Sequence, residues 1–233
     1  MISSSQVAAN LDTIRERVQT ACQRSGRDPS AITIVGASKH QPIERLGWAW
    51  EAGLRVYGEN RVQEALAKMP ELPEEIEWHL LGPLQSNKAR KAVPVFTTVH
   101  SIDRPKIARI LDKEANNLGV TMTGFLEVNL AAEETKHGFL PANLPGQLDE
   151  LAGLKQLRIM GLMAIPPFEA DPQASRTWFR QLRDLRNQLC AADGWTDCPG
   201  WLSMGMSHDY DIAVEEGATH IRVGTALFGP RET

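Results

Sequence analysis

The feature that most limits this chain is an alternation running its whole length, in which short apolar runs are each followed by a stretch of helical periodicity. Eight runs read as strands, at 31–37, 54–57, 77–81, 97–100, 124–129, 158–164, 200–204 and 220–223. Several are apolar almost throughout, as strands covered on both faces are. Strands alternating with helices call for a parallel sheet. Eight units with one helix in front favour closure into a single (β/α)8 TIM barrel over an open doubly wound sheet. The length of 233 residues suits that choice, since one such barrel fills about 250 residues. The expectation is one α/β domain over 1–233 with an extra N-terminal helix.

That first helix carries Val7, Leu11, Ile14, Val18 and Ala21 at spacings of three and four, and Gly26 stops it. Asp103 is the expected cap of a helix bearing Ile107, Ile110, Leu111 and Leu118. Asp171-Pro172 opens another, with the stripe Trp178, Leu182, Leu185 and Leu189. Ser207 precedes a third, which Gly217 is placed to stop.

Composition removes several function classes. The apolar share is 42%, and no apolar run approaches the roughly 20 residues of a membrane-spanning helix. Met1-Ile2-Ser3-Ser4-Ser5-Gln6 lacks the basic start and apolar stretch of a signal peptide, so a cytoplasmic protein is expected. A net charge of −4 with no basic block argues against nucleic acid as a partner. Cys22, Cys190 and Cys198 have no metal-ligand spacing; they read as thiols in a reducing compartment, and no metal site is expected.

In such a barrel the working face lies at the C-terminal ends of the strands. Lys39 follows the first strand directly, in Gly36-Ala37-Ser38-Lys39. Partial desolvation there would lower its pKa and free the amine to condense with an aldehyde; the plainer reading is a solvated surface lysine. Ser203-Met204-Gly205-Met206-Ser207 leads into a helix whose free N–H groups suit a phosphate, or Ser207 is a simple helix cap. Arg222-Val223-Gly224-Thr225 closes the last strand. Gly224 lets the backbone approach a ligand, Thr225 adds a hydroxyl, and Arg222 needs an acceptor, from a ligand or a structural ion pair.

The stretch from Ser203-Met204-Gly205-Met206-Ser207 through Arg222-Val223-Gly224-Thr225 to Gly229 resembles the signature of the YggS/PROSC family of pyridoxal 5′-phosphate (PLP) homeostasis proteins. Five further motifs follow the same order: Val35-Gly36-Ala37-Ser38-Lys39, 57–64 around Glu59-Asn60-Arg61, 78–88 from Trp78-His79 to Lys88, Lys136-His137-Gly138-Phe139 and Gly161-Leu162-Met163. The resemblance implies a fold-type III PLP barrel, similar to the N-terminal domain of alanine racemase. It implies that Lys39 forms the Schiff base, that Ser207, Gly224 and Thr225 hold the phosphate, and that Arg222 faces the pyridine nitrogen. Asn60 and Met163 would line the ring. His40-Gln41-Pro42 departs from the family pattern just after the lysine.

Arginine does not give up its proton, so a ring nitrogen facing it stays unprotonated and the ring is a weak electron sink. Racemases of this fold compensate with a second acid/base group from an additional β-domain and a partner subunit. The chain is expected to end at Thr233 without that domain, and the sequence offers no candidate for the second group. The leading expectation is therefore a PLP carrier without robust turnover and with no catalytic residue of its own. It would pass PLP to apo-enzymes and exist as a monomer or weak dimer. The alternatives are an amino-acid racemase or related PLP enzyme, and a phosphate-sugar enzyme without PLP.

Overall fold

A computed structural model describes residues 2–191, 195 and 198–230; Thr233 lies outside them. Its strands are β1 (Thr33–Ala37), β2 (Val56–Glu59), β3 (Glu77–Leu80), β4 (Thr98–Ile102), β5 (Met122–Glu127), β6 (Leu157–Met163), β7 (Trp201–Met206) and β8 (His220–Val223). They close in chain order into a parallel barrel. Closure sets Thr33 opposite His220 and Gly36 opposite Val223. The (β/α)8 barrel expected from the alternation is the fold.

The helices are α1 (Ser4–Ser25), α2 (Ile43–Glu51), α3 (Val62–Lys68), α4 (Ala89–Ala92), α5 (Pro105–Leu118), α6 (Leu148–Ala152), α7 (Ser175–Cys190), α8 (Tyr210–Glu215) and α9 (Thr225–Phe228). In α1 the Ser3 hydroxyl accepts the Gln6 N–H at 3.2 Å, and Gly26 ends the helix in the left-handed region at φ 67°. Its buried stripe of Val7, Leu11, Ile14, Val18 and Ala21 packs α1 against α2, α8 and α9, which flank the β8–β1 seam. No helix among the described residues is long and apolar enough to cross a membrane.

Several local expectations differ. Arg104, not Asp103, occupies the α5 N-cap; Asp103 instead accepts from the Arg104 guanidinium. In α7 the buried stripe runs through Phe179 rather than Trp178, whose indole N–H donates to Glu169 at 3.0 Å. Two aromatics side by side left the phase open, and the one with a polar handle took the edge of the face. Leu118, last in α5, is exposed, and Tyr210 in α8 is buried beneath the Arg17 guanidinium.

Barrel interiors of this class are usually filled by Val, Ile and Leu. Here His79, His100, His220, Ser203 and Arg222 are all buried inside. His100 on β4 bonds Ser203 on β7 at 2.7 Å, a contact that crosses the barrel. His100 also stacks on Phe125 at 4.5 Å, and Phe125 meets His220 edge-on at 5.0 Å.

These histidines make stability depend on pH. Burial pushes His100 well below 6.5 and His220 down to about 3, with the neighbouring His79 adding to both. In the unfolded chain both take up protons near 6.5, so their stabilisation is complete above that value and shrinks as pH falls. His220, held down to about 3, loses about 1.4 kcal/mol per pH unit on the way, and His100 loses in the same direction. Glu127 works the other way, because burial and then Asp103 raise its carboxyl from 4.5 to about 7. Between 6.5 and 4.5 it and Glu59, whose buried carboxyl is also raised, offset the histidines; below 4.5 the unfolded carboxyls take up protons as well, the offset ends, and the histidine loss is uncompensated. Urea titrations at pH 4.5, 4.0 and 3.5 should show stability falling as the pH drops; level or rising stability would contradict it.

Candidate functional site

Lys39 stands where β1 gives way to a turn, and both its neighbours are tied down. The Ser38 hydroxyl donates to Glu59 Oε1 at 2.7 Å. Lys68 Nζ reaches the same oxygen at 2.7 Å and the Ser38 carbonyl at 2.8 Å. On the other side the His40 N–H donates to Glu64 Oε1 at 2.6 Å, and Lys68 also contacts that oxygen at 3.1 Å. His40 sits in the left-handed region at φ 57°, which costs a non-glycine residue roughly 1–2 kcal/mol. The clamp from the end of β2 and from α3 holds that turn and so aims Lys39. Glu59 is fully buried, and burial raises its carboxyl pKa while Lys68 and Ser38 pull it back. Burial also opposes the Glu64 carboxylate, yet the His40 N–H and Lys68 bring it below the ordinary range.

Arg222 points inward from β8. Its Nη1 donates to Ser203 Oγ at 2.6 Å and its Nη2 to the Ala164 carbonyl at 2.9 Å. That occupies two of about five guanidinium N–H groups. Burial lowers its pKa to about 10, and Glu127 and Asp209 oppose that shift, so it remains a cation at neutral pH.

Ser207 does not cap α8, where Asp209 holds the N-cap position. Its oxygen instead accepts the Gly224 and Ala226 N–H groups, both at 3.2 Å, across the gap to the end of β8. With both N–H groups aimed at its oxygen, the hydroxyl proton must point elsewhere. The Ser207 loop is set by Gly205, which lies at φ 88° with its missing Cβ only 2.5 Å from Ala213 Cβ, so no other residue fits. At Gly224 a Cβ would come within 3.3 Å of the Ala37 carbonyl, where the ends of β8 and β1 close together.

These groups meet in one cavity of about 280 Å³. Lys39, Asn60, Ser207, Arg222, Gly224 and Thr225 all stand on its wall, with Leu81 and Ile165 as apolar cover. Met163 does not line it. It is buried at the end of β6, one residue before the Ala164 carbonyl that receives Arg222. The described wall carries the Arg222 guanidinium, the Lys39 side chain, two hydroxyls and no carboxylate, which fits an anion of modest size. Asn60 also lines a second cavity of about 650 Å³, with Arg61, Lys88, Asp103, Arg104 and His137.

Four supporting residues were missed by sequence reasoning: Glu59, Glu64, Lys68 and Ser203. Glu59 and Glu64 lie inside the 57–64 motif that carries the resemblance, and that motif was the available signal; Glu59 ends β2 and Glu64 lies in α3. Tyr57 in β2 is fully buried, with its hydroxyl donating to the Leu46 carbonyl at 2.9 Å. No cluster among the described residues resembles a metal site.

The family described as "Alanine racemase, N-terminal domain" matches residues 9–232. A protein of Aquifex aeolicus named pyridoxal phosphate homeostasis protein is 41% identical over 223 residues, covering 95% of this chain and 97% of the relative. The Escherichia coli K12 protein of the same name is 36% identical over 233 residues, covering 97% of each. PipY of Synechococcus elongatus, solved with PLP bound, is 40% identical with a TM-score of 0.84, covering 96% of this chain and 100% of PipY. The alanine racemase of Clostridium difficile shares the fold at 14% identity, and the match spans 57% of its length. With these full-length matches on the same barrel, the chain belongs to the pyridoxal phosphate homeostasis protein family.

Proposed function

We propose that this protein, acting as one domain over 1–233 in the cytoplasm, holds PLP in the Lys39 cavity. It serves PLP homeostasis by binding and releasing the cofactor. The single observation that carries the reading is the described cavity wall itself, with the Lys39 amine, the Arg222 guanidinium, the Ser207 and Thr225 hydroxyls, and no carboxylate. When bound, PLP supplies a reactive aldehyde and a ring that can take up electrons. Lys39 supplies the amine that condenses with that aldehyde, its aim fixed by the Glu59–Lys68 clamp. The free Ser207 hydroxyl proton, the Thr225 hydroxyl and the backbone at Gly224 hold the phosphate. Asn60 stands beside the ring, and Arg222 offers one of its remaining N–H groups to the pyridine nitrogen. Because Arg222 keeps its proton, that nitrogen stays unprotonated and carbanion chemistry is disfavoured. Such a site stores PLP for apo-enzymes, as a monomer or weak dimer, rather than turning over an amino acid.

Two measurements test this. Purified protein should carry the visible absorbance of lysine-bound PLP, and L-alanine in deuterated water should exchange its α-proton no faster than with free PLP. Steady exchange well above that rate would revive the racemase reading. Protein that cannot be loaded with PLP at all would favour a phosphate-sugar ligand. Ser207→Ala or Thr225→Ala should weaken PLP binding about tenfold, one charge-assisted hydrogen bond's worth, without preventing its covalent capture. An unaltered dissociation constant in both variants would remove the phosphate assignment.

A further inference from the structure

Beneath Arg222 the polar contacts continue to the other end of the barrel. Arg222 Nη1 meets Ser203 Oγ at 2.6 Å. Ser203 Oγ meets His100 Nδ1 at 2.7 Å, and His100 Nε2 meets His79 Nδ1 at 2.9 Å. His79 Nε2 meets Glu77 Oε1 at 3.0 Å. Glu77 begins β3 at the barrel floor, and its side chain is 47% exposed. From the ligand cavity to solvent on the opposite face, no link is missing.

We infer that Ser203, His100, His79 and Glu77 are positioning residues for Arg222, forming a one-way chain of hydrogen bonds that fixes the guanidinium beneath the ligand and ties its setting to the barrel floor. The ends dictate the direction. A guanidinium only donates and a carboxylate only accepts. Arg222 therefore donates to Ser203, the Ser203 hydroxyl to His100 Nδ1, His100 Nε2–H to His79 Nδ1, and His79 Nε2–H to Glu77. Both imidazoles are neutral Nε2–H tautomers in this arrangement, and every donor in the chain has an acceptor. Thr97 supports the terminus by donating to the same Glu77 oxygen at 3.1 Å.

A proton added to His79 reverses the chain. His79 Nδ1 becomes a donor, His100 must turn its proton toward Ser203, and Ser203 then has two donors aimed at its oxygen. Its own proton is left without a place in the chain. The charges around the chain are few. His79 faces Glu77, His100 and His220, with the His220 ring at 6.2 Å. His100 faces His79, His220 and Arg222, and Arg222 faces Glu127 and Asp209. Glu77 is held below the ordinary carboxylate range, first by the His79 N–H, so it remains the fixed negative end.

The consequence for PLP rests on the function proposed above, but the chain itself is readable without PLP. Nitrogen-15 spectra of the PLP-free protein at neutral pH should show His79 and His100 protonated at Nε2 and not at Nδ1. Protonation of either ring at Nδ1 would overturn the inference. Glu77→Ala removes the terminal acceptor at a half-exposed position, away from the core. It should shift the His79, His100 and Arg222 side-chain resonances, raise the PLP dissociation constant about three- to tenfold and move the visible maximum. Glu77→Gln keeps an acceptor and should stay close to wild type in both respects. His100→Gln can accept from Ser203 and donate to His79, and should outperform His100→Leu. If Glu77→Ala leaves the His100 and Arg222 resonances in place, the chain is passive packing. If the resonances move but PLP affinity and absorbance do not, the coupling to the ligand fails. Failure of the protein to take up PLP would count against the cofactor reading, with the PLP-free spectra still decisive for the chain.

Discussion

Lys39→Ala is expected to abolish covalent PLP capture while leaving the barrel folded. The purified variant should be colourless, and borohydride should trap no adduct. No other amine on the described cavity wall is placed to substitute, since the remaining cation there, Arg222, is a guanidinium with two of its nitrogens committed to Ser203 and Ala164. The phosphate contacts proposed for Ser207 and Thr225 should survive, so residual binding should be reversible and at least about tenfold weaker. The fold should be indifferent, because Lys39 lies half-buried at the cavity and outside the apolar core. Far-ultraviolet dichroism and the urea midpoint should match those of PLP-free wild type. A variant that kept the visible band after dialysis would place the reactive amine elsewhere.

The second large effect is on stability. Lys68→Met should leave the Glu59 carboxylate, fully buried, without its cation. One Glu59 oxygen already lacks a partner among the described residues. Removing one member of a buried pair costs about 3–5 kcal/mol, and in a domain of this size lowers the melting temperature by on the order of 10 °C. Because Lys68 also ties Ser38 and Glu64, the Lys39 turn should loosen, and PLP affinity should fall with stability. The double variant Glu59→Gln, Lys68→Met no longer buries an uncompensated charge and should recover most of the loss. Equal damage in the single and double variants, measured by urea unfolding, would show that the pair is not coupled.

The barrel was legible because alternation of strand and helix is a long-range pattern that survives errors of one or two residues at each boundary. The interior was less so. His79 and His100 lie in separate strands, and neither position by itself marks a partner; only closure of the barrel brings them into line with Ser203 and Arg222. Ser207 was legible as a polar residue at a turn, but its hydrogen bonds go to Gly224 and Ala226, on a loop that local capping rules do not see. Lys39 could be singled out only by resemblance, since a lysine after a strand carries no signal that its flanks are clamped. The clamp needs Glu59 and Lys68, which are brought beneath Ser38 by the β1–β2 pairing and the return of α3.

The central claim is that one amine at the open end of the barrel captures PLP. Reducing the PLP-loaded protein with borohydride, digesting it and locating the pyridoxyl group by mass spectrometry tests this directly. A single modified peptide with the group on Lys39 is the expected result. Modification confined to Lys88 or Lys136, or no modified peptide from protein that binds PLP, would contradict it.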